Sequence, residues 1–569
     1  MPTAQSPPGR SALSILNHIS TTNIKGDLFG GVTAAVIALP MALAFGVAAF
    51  GGLEGGAVAG LWGAVLVGLF AALFGGTPAL ISEPTGPMTV VMTAVVANLT
   101  SRNPENGLAM AFTVVMLAGV FQIVFGVLKL GRYITQMPYT VISGFMSGIG
   151  IILIVLQIGP FLGQAIPGGG VMGTLSALPA LVANAQLDEV LLAVVTLAVL
   201  WFTPRRVRTV VPAQLIALVL GTLLSLSLLH GDSDGLRRIG VIASGFPQLQ
   251  IPTFELPQIR LMLINAAVLG MLGCIDALLT SVIADSITRT EHNSNKELIG
   301  QGVGNLVSGL FGGLPGAGAT MGTVVNIQSG GRSALSGIAR ALVLMLVILA
   351  GARLAGQIPL AVLAAIALKV GVDIIDWGFL RRAHLISIKG ALIMYLVIAL
   401  TVLVDLIAAV GIGVFIANIL TIDKMTALQA TSVKSVSTGD GGLILPEDEK
   451  SLLDQGRGQV LLFQLNGAML FGVAKAIARE HNAIRECKAV IFDLSEVSHL
   501  GVTASLAVEN AVEEAIEKGR LVYVVGATGT TQRRLEKLGL FSKLPPDHTT
   551  ISRAEALQRA VASLGSAAG

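Results

Sequence analysis

The chain has 569 residues, of which 53% are hydrophobic and only 12% charged, with a mean hydropathy of +0.80. A net charge of +3 scattered over short loops excludes a nucleic-acid surface, and two cysteines exclude a disulfide framework or a cysteine-rich metal site. Most of such a chain belongs in lipid.

The first 27 residues are mostly polar, and the apolar run 30–50 that follows is too long for a signal peptide and lacks a cleavage site. Runs of this length cross about 30 Å of hydrocarbon as helices. Hydropathy predicts spans at 28–49, 53–74, 79–99, 108–129, 138–159, 189–203 and 211–229. A second set follows at 261–284, 298–313, 317–330, 334–352, 358–376, 388–405 and 407–422, about fourteen in all. A cytosolic N-terminus puts Lys129, Arg132, Arg205, Arg206, Arg208, Arg289, Lys296, Arg332, Arg381, Arg382 and Lys389 in inner loops. This satisfies the positive-inside rule, with Arg237 and Arg238 as the main exceptions, and places Trp201 and Trp377 at cytosolic span ends.

The division expected is a cytosolic segment 1–27, a transmembrane domain 28–425, a polar linker 426–457 and a cytosolic domain 458–565. In the last, 460–465, 489–494 and 521–525 read as buried strands between amphipathic stretches at 473–482 and 503–518, which makes a small α/β domain. An even span count leaves both termini in the cytosol of a cell bounded by this inner membrane.

An internal repeat divides the membrane part. Gly75-Gly76-Thr77-Pro78 leading to Thr85-Gly86-Pro87-Met88 echoes Gly312-Gly313-Leu314-Pro315 leading to Thr320-Met321-Gly322-Thr323, with threonines 235 positions apart. Ala34-Ala35-Val36 and Ala266-Ala267-Val268 repeat at an offset of 232. Seven spans per half is odd, so the halves are inverted. Glycine and proline within spans 3 and 10 require each to begin as extended backbone and to turn helical only after Thr85 or Thr320.

A helix that starts in mid-membrane presents free N–H groups and about half a positive charge, so two facing starts match a monovalent oxyanion. Segments 76–92 and 312–329 hold no lysine or arginine, which leaves a dianion undercompensated unless another segment supplies charge. The plainer alternative is that Thr85 and Thr320 are simple helix caps. Asp276 lies deep in span 8, where an ionised carboxylate costs about 2.5–3.5 kcal/mol or more without a partner. Thr280, four residues on, shares its helical face, and with unwound carbonyls near Gly318 the two could hold a hard cation such as Na⁺. A protonated Asp276 making one hydrogen bond, or one coupled to proton movement, fits the same position. Glu83 beside Pro84 is a further candidate, whereas Asp285 and Asp405 read as helix-end or solvated acids. No Gly-Lys-Ser/Thr phosphate loop is present, so any transport would be gradient-driven, and no nucleophile or paired-acid motif points to an enzyme.

The residues Ala38-Leu39-Pro40-Met41-Ala42-Leu43-Ala44-Phe45-Gly46, Ile81-Ser82-Glu83-Pro84-Thr85-Gly86-Pro87-Met88, Gly273-Cys274-Ile275-Asp276-Ala277-Leu278-Leu279-Thr280 and Gly316-Ala317-Gly318-Ala319-Thr320-Met321-Gly322 resemble the SulP anion permeases with a STAS domain. The likeness runs from about residue 23 to 557 and is nearest to the cyanobacterial BicA-type branch. It implies an inverted seven-plus-seven fold of core and gate subdomains, bicarbonate uptake by Na⁺ symport through elevator-like movement, no organic cofactor, and a homodimer with STAS participation. Carried over by motif, Thr85, Ala319 and Thr320 would line the bicarbonate site and Asp276, Thr280, Gly318 and Thr320 would hold Na⁺, with Glu83 and Gly86 in support. Many sulfate-type relatives carry Glu where Asp276 stands, so the shorter acid favours the sodium-coupled branch. Other readings are a sulfate or other small-anion transporter coupled to H⁺ or working by exchange, and a membrane-anchored STAS sensor without transport. Gly501-Val502-Thr503-Ala504 stands where anti-sigma-factor antagonists carry Asp-Ser-Ser-Gly, which argues against a phosphoswitch and makes Thr503 the expected N-cap of the next helix.

Overall fold

The computed structural model describes residues 16–51, 53, 55–131, 138–208, 211–228, 236–240, 245–404, 433–439, 443–469, 487–549 and 552–566, with scattered positions between 409 and 425. Arg132, Asp405 and the amphipathic stretch 473–482 lie outside the described residues. The chain divides into two compact units, Met1–Phe415 and Ile416–Gly569.

In the first unit the predicted spans appear as helices α1 (Ile24–Phe50), α2 (Gly56–Phe74), α3 (Gly86–Arg102), α4 (Gly107–Val127) and α5 (Tyr139–Leu156). After α6 (Gly170–Ala183) come α7 (Leu187–Phe202) and α8 (Ala213–Leu228). The second half supplies α9 (Ile259–Thr288), α10 (Ser294–Leu310), α11 (Thr320–Gln328), α12 (Ala334–Ala355) and α13 (Leu360–Ile374), then α14 (Trp377–Ile386) and α15 (Ile388–Leu403). The described residues of the fourteenth span are helical. Five helices, α1, α2, α4, α5 and α9, are singly long and apolar enough to cross a membrane. Others are short for physical reasons. The nine residues of α11 rise only about 14 Å, half the hydrocarbon thickness, because the rest of that span is extended.

Packing follows the repeat. α1 lies on α12 as α9 lies on α4, and α2 and α10, equivalent in the two halves, pack on each other. With α3 and α11 these six make up the eight spans of the core subdomain, and α5, α7, α8, α13 and α15 pack together as the gate. Hydropathy alone does not predict α6 and α14, which precede the sixth span of their respective halves; α6 meets α7 at a bend of 114°. The two outer-loop exceptions to the charge rule are structural. Arg237 makes a two-point ion pair with buried Glu189 (2.9 and 3.0 Å), and Arg238 donates to Ser225 Oγ and the Gln357 carbonyl.

The second unit is a four-stranded sheet in the order β3 (Val433–Val436), β4 (Val460–Met469), β5 (Ala489–Leu500), β6 (Leu521–Val525). β3 is antiparallel to β4 and the other pairs are parallel. Both faces are covered: Leu461, Phe463 and Phe492 pack under helix Val502–Glu517, while Leu462, Ile491 and Tyr523 pack against helix Arg553–Ser566. The strands are therefore continuously apolar rather than alternating. The polar stretch 426–457 is more than a tether, since it supplies β3 and helix Glu447–Gln455. Thr503 is not the N-cap expected of it. Gly501 takes that place with extended backbone, anchored by its N–H to the Met469 carbonyl at 2.6 Å, and exposed Thr503 sits inside the first turn.

Candidate anion and cation site

Spans 3 and 10 are broken as predicted, and their extended parts meet. β1 (Ser82–Glu83) pairs antiparallel with β2 (Ala317–Gly318), in the register Ser82 with Gly318 and Glu83 with Ala317, and Ala319 N–H extends the pairing to the Ile81 carbonyl at 2.8 Å. The crossing needs small residues. A Cβ on Gly316 would stand 2.6 Å from the Glu83 carbonyl oxygen, and one on Gly318 would press on Ala277 and Thr280 of α9 at 3.0–3.1 Å. From the two ends of this crossing α3 and α11 run in opposite directions, so their N-termini face each other.

At the first start, Thr85 is the N-cap of α3 by backbone conformation but makes no side-chain cap bond. The second start lies one residue earlier than predicted: Ala319 is the cap and Thr320 already opens α11. Thr89 N–H and Thr323 N–H make the first helical bonds, to the Thr85 and Ala319 carbonyls. The N–H groups of Gly86, Met88, Thr320, Met321 and Gly322 precede those bonds and have no backbone acceptor within their helices.

α9 spans the gap. Thr280 Oγ donates to the Gly318 carbonyl at 2.8 Å and lies 3.0 Å from Thr320 Oγ. Asp276, one turn or about 5.4 Å earlier on the same face, brings its carboxyl beside the Thr85 hydroxyl. No direct hydrogen bond of ordinary length closes there: Thr85 Oγ and Asp276 Oδ2 are both buried without a partner among the described residues. Asp276 is 7% exposed. A carboxylate oxygen, two hydroxyls and a carbonyl on adjoining elements form a hard-oxygen donor set that suits Na⁺ and not a soft metal. Ala319 contributes its position, since its N–H is engaged with Ile81.

Glu83 lies at the crossing itself, its Oε1 3.4 Å from where a Cβ on Gly322 would stand. It forms a buried ion pair with Arg340 of α12, whose Nη1 also donates to the Ser82 and Ala64 carbonyls at 3.0 and 3.1 Å. Charge does arrive from another segment, as the sequence left open, but Glu83 cancels it. Asp285 has the helix-end role expected, accepting from His292 N–H at 2.9 Å with the His292 ring 2.6 Å away.

Sequence reasoning missed the polar ladder that holds the breaks in place. On α10, Glu297 accepts the N–H groups of Gly76 and Thr77 at 2.8 Å, Gln301 donates to Ser82 Oγ at 2.6 Å, and Ser308 donates to the Leu314 carbonyl at 2.7 Å. Asn305 clamps Gly316 from both sides, through its N–H (2.7 Å) and its carbonyl (2.9 Å). The signal was available: Glu297, Gln301 and Asn305 recur every four residues in a span, one face of a helix.

Residues 24–397 match the sulfate permease family, and 452–556 match the STAS domain. The chain belongs to the sulfate permease family. It is 70% identical to the bicarbonate transporter BicA of Synechocystis sp. over 97% of both chains. To the protein of that name from Picosynechococcus sp. it is 66% identical, over 96% of this chain and 97% of that one. Among solved structures, the transmembrane domain of a cyanobacterial bicarbonate transporter BicA is 71% identical with a TM-score of 0.66, covering 70% of this chain and all of that one. Murine solute carrier 26 member A9, at 19% identity and TM-score 0.79 over 96% of this chain and 92% of that one, shows the shared fold. The chain is thus an integral membrane protein with the transporter fold of this family and a C-terminal STAS domain.

Proposed function

We propose that this protein is a secondary transporter that imports bicarbonate with Na⁺ by elevator-like movement of the core against the gate. The observation that carries the reading is the pair of opposed helix starts bridged by one turn of α9, with Thr85 Oγ and Asp276 Oδ2 left unpartnered between them. A monoanion bound there accepts from the free N–H groups and the Thr85 and Thr320 hydroxyls. Na⁺ fits beside it on Asp276, Thr280, Thr320 and the Gly318 carbonyl, its charge offsetting the carboxylate. Bicarbonate itself is named by the relatives at 70% and 66% identity, which carry that substrate in their names. Sulfate fits less well, because the nearby guanidinium of Arg340 is committed to Glu83.

The same reading places the protein in the cell membrane with both termini cytosolic, and as a homodimer in which the STAS domains take part. The decisive experiment is uptake of labelled bicarbonate into proteoliposomes under imposed Na⁺, K⁺ or H⁺ gradients with sulfate as competitor. Uptake driven by Na⁺ and resistant to sulfate is expected. Uptake indifferent to Na⁺ would remove the symport, and sulfate-driven exchange would replace bicarbonate.

A further inference from the structure

Gly86 opens α3 at the proposed anion site, and one gate side chain lies over it. A Cβ built on Gly86 would stand 2.4 Å from Cδ1 of Ile374 and 3.7 Å from Cδ2 of Leu153, so only the bare glycine lets the gate reach this helix start. Ile374 is the last residue of α13, and the segment after it is pinned. Asp376 accepts the hydroxyls of Tyr139 and Ser143 on α5 at 2.7 and 2.9 Å and the Phe379 N–H at 3.0 Å. Ile374 also lines an open depression of about 470 Å³ between α5 and residues 373–378.

Resting on the anion site proposed above, we infer that Ile374 is a specificity-determining residue that limits how large an anion can sit on the α3 start. Its branched side chain offers no hydrogen bond, so it acts by volume. Its terminal methyl stands about where a Cβ of Gly86 would be, so it closes that side of the helix start to anions longer than bicarbonate. A methylene-sized misfit in an apolar pocket is worth roughly 10–200-fold in discrimination. Shortening Ile374 opens the helix start toward the depression that this side chain lines, which gives a larger anion room.

The test is competition of labelled bicarbonate uptake in proteoliposomes by formate, acetate and propionate, for wild type, Ile374→Val, Ile374→Ala and Leu153→Ala. In Ile374→Ala the ratio of the propionate to the acetate inhibition constant should fall by about tenfold, with Ile374→Val intermediate and Leu153→Ala nearer wild type. A general loss of folding or turnover lowers uptake without moving this ratio. If Ile374→Ala is inactive, Ile374→Val and anion-induced thermal stabilisation of the purified variants give the same ratio. An unchanged ratio in variants that take up bicarbonate overturns the inference. Absence of bicarbonate uptake in wild type instead overturns the function on which it rests.

Discussion

Replacing Asp276 by Asn removes the one negative charge of the proposed site. The carboxylate is 7% exposed, one of its oxygens has no partner, and the charged pair nearby, Glu83 with Arg340, is closed on itself. The two helix starts, worth about half a positive charge each, offset this carboxylate when the site is empty, so in the absence of Na⁺ the Asn variant should be no more stable than wild type. Na⁺ loses its one anionic ligand. A unit charge at about 4 Å and an effective dielectric near 20 contributes about 4 kcal/mol, or close to a thousandfold in affinity. The remaining amide oxygen recovers part of this, which leaves a loss of at least about a hundredfold. The assay is thermal unfolding of purified protein across a Na⁺ titration, paired with Na⁺-dependent bicarbonate uptake. Wild type should gain stability with Na⁺ logarithmically, about 2.7 kcal/mol at a hundred times its dissociation constant, and the variant should show a flat response. An unchanged Na⁺ response in Asp276→Asn refutes the reasoning.

Three other outcomes follow from contacts in the same structure. Arg340→Met strands the buried Glu83 carboxylate and should destabilise the membrane unit by about 3–5 kcal/mol, while Arg340→Met with Glu83→Gln recovers most of it, as read by unfolding in detergent. Asn305→Leu leaves the N–H and carbonyl of Gly316 unpaired, at about 1–3 kcal/mol each, so the maximal uptake rate should fall more than membrane insertion does. In the STAS domain Arg553 holds the fully buried Asp493 at 3.0 Å and Glu449 at 2.7 Å, so Arg553→Met should lower amide-exchange protection in β4 and β5 of the full-length protein. Protection equal to wild type would mean that the strands do not depend on this pair.

Much of the membrane architecture was legible because its signals are local. Apolar runs mark spans, and the Gly-Gly-x-Pro segments mark breaks, since neither residue continues a helix in lipid at low cost. Asp276 and Thr280 announced a shared face by their spacing alone. What was hidden depends on distant residues meeting. Arg340 lies 257 positions from Glu83, and nothing in either segment names the other, so Glu83 read as a candidate site residue without its ion-pair partner. The α10 ladder was visible as a four-residue polar period but unreadable as a brace until the crossing of β1 and β2 placed Gly76, Ser82 and Gly316 along it. Thr503 went astray for a local reason. Hydroxyls are good caps, but the chain reaches helical geometry at Val502, two residues too early for Thr503 to be the cap.

The closed Glu83–Arg340 pair bears directly on coupling. With those charges cancelled, the moving parts of the proposed site reduce to one carboxylate and two helix starts worth about half a positive charge each, which sum to about zero when empty. Adding Na⁺ and a monoanion together keeps the sum at zero, whereas either alone leaves one unit. A net charge carried past the hydrocarbon costs about 2.5–3.5 kcal/mol, roughly a hundredfold in rate. Singly loaded forms therefore cross slowly and the empty and doubly loaded forms cross freely, which is the condition for symport without leakage. A free arginine at the same place would make the anion-only form neutral and break that condition, so under the proposed symport the pairing of Arg340 with Glu83 would serve coupling as well as the fold.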